Sequence, residues 1–132
     1  MTRTKHRFPG IPLWLVLGII LLTTVAFSGG QGITTITTAG TPVQLYSSNP
    51  GTKAVGCTIT AASTNTGTIW VGFSSAVSAA NKIGTPLGPP LTAGQPGASY
   101  ACMPVGNTAT FSLGSIFLDA TVSGDKASFS WF

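Results

Sequence analysis

From residue 34 onward, apolar and polar positions alternate in short runs. Val55, Cys57, Ile59 and Ala61 fall on one side of an extended segment, with Ala54, Gly56, Thr58 and Thr60 on the other. Ile69, Val71 and Phe73 repeat the arrangement, opposed by Trp70 and Gly72. Near the end, Ile116, Leu118, Ala120 and Val122 alternate with Phe117, Asp119 and Thr121, and Ser123-Gly124-Asp125 leads into Ala127, Phe129 and Trp131. A period of two belongs to strands, and these last two runs predict a terminal β-hairpin. Further strands are expected over 34–38, 43–46, 98–103 and 108–112, punctuated by Gly, Pro, Asn and Ser. Between 74 and 97, Pro86, Pro89, Pro90 and Pro96 favour edge or loop positions, with room for a single helical turn over 76–82. About eight short strands and no amphipathic helix predict an all-β domain over 34–132. The expected form is an antiparallel two-sheet sandwich of the jelly-roll or immunoglobulin-like kind.

The first 33 residues follow a different pattern. A basic head over 1–10 carries Arg3, Lys5 and Arg7, and the run from Ile11 to Phe27 has 17 residues without a charge. As a helix, that run would reach about 25 Å at ~1.5 Å per residue, the short end of a membrane crossing. One N-terminal transmembrane helix is therefore expected over 11–28, with Pro12 in its first turn, Trp14 at the interface and Leu15, Leu17, Ile19, Leu21 and Leu22 in lipid. The positive-inside rule keeps the head on the cytoplasmic side and sends the body across. A cleavable signal peptide is the competing reading, supported by the small residues of Ala26-Phe27-Ser28 before Gly29. Both readings export the body. Gly29, Gly30 and Gly32 suggest a flexible joint over 29–33.

Charge narrows the function classes. Only 6% of the 132 residues are charged, no glutamate is present, and the carboxylates are Asp119 and Asp125. Beyond residue 28 the three lysines Lys53, Lys82 and Lys126 leave a net charge of +1, too sparse for a phosphate-binding face. A serine nucleophile would need a base, and His6 lies in the basic head, on the other side of the apolar run. Metal binding lacks a ligand set, so no cofactor or metal is expected. Asp119 reads as an outward strand residue beside Lys126, and Asp125 as a turn residue. Cys57 and Cys102 both fall on predicted strands; in an exported domain they are either a disulfide or two buried thiols acting as small hydrophobes. Trp70, Phe117, Trp131 and Phe132 are the candidate interface residues, because aromatic side chains carry much of the energy at protein contacts.

The ordered series Thr41-Pro-Val-Gln-Leu45, Cys57-Thr-Ile-Thr-Ala61, Asn65-Thr-Gly-Thr-Ile-Trp-Val-Gly72, Pro86-Leu-Gly88, Leu91-Thr-Ala-Gly-Gln95, Gly114-Ser-Ile-Phe-Leu-Asp-Ala-Thr-Val-Ser-Gly124 and Ala127-Ser-Phe-Ser-Trp131 resembles small β-sandwich virion structural proteins of bacteriophages. The resemblance spans roughly 41–131. It departs at Tyr100-Ala-Cys-Met-Pro104, where that pattern has a variable strand, and in carrying a membrane segment. The resemblance implies a non-enzymatic structural component of a membrane-containing phage, anchored in lipid and packed on capsid or other virion proteins. A homo-oligomer is a further expected partnership, and the basic head would meet the packaged genome. The alternatives are an exported bacterial surface or adhesion domain in the envelope or secreted, and a glycan-binding module.

Overall fold

The computed structural model describes residues 29–104, 106 and 108–132. The basic head (Arg3, Lys5, Arg7) and the apolar run (Pro12, Trp14, Leu15, Leu17, Ile19, Leu21, Leu22) lie outside the described residues. Among those described, no helix is long and apolar enough to cross a membrane.

The described chain is all-β and antiparallel. Its strands are β1 (Gly30–Thr35), β2 (Val43–Gln44), β3 (Lys53–Ala54), β4 (Cys57–Ala61), β5 (Ile69–Gly72), β6 (Thr85–Leu87), β7 (Ser99–Cys102), β8 (Phe111–Ser112), β9 (Phe117–Ala120) and β10 (Lys126–Trp131). One sheet has the order β1-β10-β4-β7 and the other β2-β9-β5-β6, while β3 and β8 form a short ribbon. The pairs β1 with β10, β2 with β9, β4 with β7 and β5 with β6 are nested, as though one long hairpin had been rolled up. The cross-pairs β10 with β4 and β9 with β5 then seal each sheet.

Rolling explains why the expected terminal hairpin does not form. In a nested arrangement each late strand pairs with an early one, so β9 and β10 belong to different sheets despite the tight turn between them. That turn crosses from sheet to sheet and is tied to the chain just after β1. The Gly124 amide donates to the Ile36 carbonyl (2.8 Å), and the Ile36 amide to Asp125 O (2.9 Å).

Alternation places the core as the pattern requires. Ile59, Ala61, Ala127 and Phe129 from one sheet meet Ile69, Val71, Leu87, Leu118 and Ala120 from the other, with Ile36, Leu45, Leu113 and Ile116 filling the ends. Burying each aliphatic side chain contributes about 2 kcal/mol. Phe73 and Val122 continue the alternation but are exposed, because β5 ends at Gly72 and β9 at Ala120. Pro86 lies in β6, an edge strand, where the missing amide leaves no central ladder unpaired. The helical turn expected over 76–82 is absent; the segment makes turns and a bridge between Ser78 and Ile83. The described residues instead carry a short 3-10 turn at Leu113–Ser115.

Residues 30–33, expected as a joint, form most of β1. Their glycines are required by close packing. A methyl group on Gly32 would lie 2.6 Å from the Phe129 ring, and one on Gly30 would overlap the Trp131 indole. Those two rings stack at 5.6 Å between centroids, and Tyr46 meets both, at 5.7 and 5.1 Å. The Thr34 hydroxyl donates to the Leu45 carbonyl, joining β1 to the opposite sheet.

Candidate docking surfaces

Two regions of the surface have distinct chemistry. The first is the outer face of the β1-β10-β4-β7 sheet. Register sets Ile33, Ser128, Thr60 and Ser99 in one row across it, and Gln31, Ser130, Thr58 and Ala101 in the next. The Thr60 and Ser99 hydroxyls share a hydrogen bond of 2.8 Å, and Ser128 Oγ donates to the Thr60 carbonyl at 3.4 Å. A shallow groove runs between Gln31, Ile33, Thr58, Thr60, Ser128 and Ser130. Small hydroxyls keep this face low, and Lys126, opposite Thr35, is the charge at its corner. Ile33 stands 72% exposed. Such a face offers hydrogen bonds and flat contact, with neither an acid nor a base to drive bond chemistry.

The second region is the end of the sandwich where β1 begins, the entry end. Gly29 lies against Trp131 and Phe132, the Phe132 ring covers Gly56, and Val55 and Gly56 both donate to the Phe132 carbonyl (2.7 and 3.2 Å). The β3–β8 ribbon adjoins this row, and Phe111 of the ribbon meets Phe73 edge-on at 6.4 Å. Phe132, Met103 and Phe73 are exposed here, with Lys53 on the ribbon.

Cys57 and Cys102 are directly opposite one another on β4 and β7 and are joined in a disulfide, with Cα atoms 4.9 Å apart. Both are buried. The bridge fastens β4 to the edge strand β7 at the entry end.

The two carboxylates are buried. Asp119 does point out of its sheet, yet it is fully buried, because the segment 74–84 roofs that face with Val77 and Ala79. Its Oδ1 accepts from the amides of Gly40 and Ala120 (both 2.8 Å), and its Oδ2 from Ala79 (2.6 Å). It makes no pair with Lys126; it clamps two loops to β9. Asp125 is likewise buried and accepts from the amides of Thr66 (3.2 Å) and Gly67 (3.0 Å). Beside it the Asn65 side chain bridges both main-chain groups of Lys126, each at 2.8 Å. These groups hold loops, and neither carboxylate opens onto a cleft.

The aromatic candidates separate. Trp70 and Phe117 share the roofed face and are half-buried; the Trp70 indole nitrogen is buried with no hydrogen-bond partner among the described residues. Trp131 is turned inward onto Phe129 and Tyr46, since its place in the β10 alternation matches that of Ala127 and Phe129. Phe132 alone of the four is well exposed, at 61%. Sequence reasoning missed Met103 and Ile33; the loop after Cys102 and the outward register of β1 are what expose them. Among the described residues no cluster of three metal-ligating side chains occurs.

The chain matches no family model, and no curated protein or solved structure is significantly similar to it.

Proposed function

We propose that this protein is a non-enzymatic structural component of a membrane-containing phage virion, tethered to lipid by residues 11–27 and packed on neighbouring capsid proteins through its sandwich. The observation that carries the reading is the open hydroxyl face of the β1-β10-β4-β7 sheet, a surface suited to flat contact with another protein.

Three features support it. Setting aside the ribbon, the strand order is 1-8-3-6 in one sheet and 2-7-4-5 in the other, the rolled hairpin of a jelly roll. Jelly rolls serve as capsid and lectin domains, so the fold contributes a class by analogy. Both carboxylates are committed to backbone amides, which suits a scaffold better than a catalyst. The disulfide fits a body held outside the reducing cytoplasm.

Particles purified from producing cells provide the test. The chain is expected at fixed stoichiometry, with an intact mass that includes residues 11–28, and in the lipid fraction once the shell is dissociated. Absence from particles overturns the reading. So does a soluble product lacking the first 28 residues, or specific glycan binding abolished by bulky substitutions at Thr58 and Ser128.

A further inference from the structure

We infer that the entry end of the sandwich rests in the headgroup layer of the membrane, with Phe132 and Met103 at the lipid interface and Lys53 facing the lipid phosphates. The inference rests on the proposal that residues 11–27 cross the bilayer, and it adds which part of the domain the bilayer touches.

The first ground is chain length. Only Ser28 and Gly29 separate Phe27, the end of the apolar run, from Gly30, where β1 begins. Three residue steps span at most about 11 Å. A hydrocarbon core of ~30 Å inside a bilayer of ~40–45 Å leaves a headgroup layer of roughly 5–7 Å on each side. Gly30 therefore lies in that layer or just beyond it. No slack exists to lift the domain away, because β1 is paired along its length with β10 and its glycines are pinned beneath Phe129 and Trp131.

The second ground is what surrounds Gly30. Gly29 touches Trp131 and Phe132, Trp131 is opposite Cys57, Cys57 is opposite Cys102, and Met103 follows. That row ends in two exposed apolar side chains, Phe132 at 61% and Met103 at 70%. Exposed apolar side chains gain by burial at the boundary between headgroups and acyl chains.

Charge is the third. Asp125 is at the opposite end, beside Thr66 and Gly67, and Asp119 is sealed under the roof. The exposed side-chain charge on the ribbon at the entry end is Lys53, and a basic group close to the surface is attracted to anionic lipid. Leu91 and Val122 are exposed too, but they follow the strand ends at the far end of the sandwich. They serve as internal controls.

The full chain is reconstituted into phosphatidylcholine–phosphatidylglycerol nanodiscs, with methionine, leucine and valine methyl groups isotope-labelled. Headgroup spin-labelled lipid is then added. The Met103 methyl signal is expected to lose most of its intensity, while Leu91 and Val122 keep theirs. Lys53→Glu is expected to reduce the Met103 loss in anionic discs and leave it unchanged in purely zwitterionic ones. If the chain floats with lipid but Met103 is spared, or if Leu91 and Val122 are broadened equally, the inference is overturned and the anchor stands. If the full-length chain fails to float with lipid, the anchor reading fails and takes the inference with it.

Discussion

At the scale of single residues, the sandwich depends on side chains that are missing as much as on those present. Gly32 has no room for a methyl group under the Phe129 ring. Gly32→Ala is expected to lower stability by about 2 kcal/mol through overpacking, seen as a lower urea midpoint with an unchanged slope. In a free joint or an unobstructed strand the same change would be neutral or gain roughly 0.5–1 kcal/mol, so the sign decides. Asp119 is the second sensitive position. Removing its carboxylate takes an acceptor from the buried amides of Ala79 and Ala120 and from the part-buried amide of Gly40, and Asp119→Ala is expected to cost about 3 kcal/mol or more. Asp119→Asn keeps one acceptor oxygen and should cost less, as thermal unfolding of the two variants would register. Alternation along β9 correctly turns Asp119 out of its sheet. That it is nonetheless buried follows from the 74–84 segment folding over that face, a contact no local pattern encodes. The Gly30 and Gly32 positions were opaque for the same reason: their meaning comes from rings at the other end of the chain.

At the scale of elements, the pattern specified strands well and their partners poorly. The apolar rows of β4, β5, β9 and β10 emerge directly from period two, and the prolines correctly put β6 at an edge. Pairing is a property of the whole roll. A short turn at Ser123-Gly124-Asp125 suggests a hairpin locally, but β10 has a better partner in β1 and β9 in β2. The disulfide is the covalent counterpart of this long-range order, closing β7 onto β4 across a separation of 45 residues. In the chain-entropy account such a closure is worth about 4 kcal/mol. Reduction followed by alkylation, or a paired Cys57→Ala and Cys102→Ala variant, is expected to lower the unfolding free energy obtained from urea titration by about that amount. Mass analysis of the oxidised protein should show no alkylation before reductant is added; full labelling there would remove the bridge from the account.

For the whole molecule, charge has been moved to the margins. Three of its six cationic side chains precede the apolar run, both acids are enclosed, and one broad sheet face is left with hydroxyl groups and a single exposed isoleucine. Edges and faces without charge are ordinarily a hazard in a freely diffusing β protein, because they invite association. In an assembly, the same property becomes the means of attachment. The domain would then have a defined orientation, its entry end at the lipid and the hydroxyl face across the membrane normal, towards its neighbours. Imaging of intact particles at residue resolution tests this most directly. The account predicts density for the sandwich between bilayer and shell, Gly30 nearest the lipid and Thr58, Thr60 and Ser128 against a protein neighbour. Particles without that density, or a sandwich whose hydroxyl face meets only solvent, would contradict it.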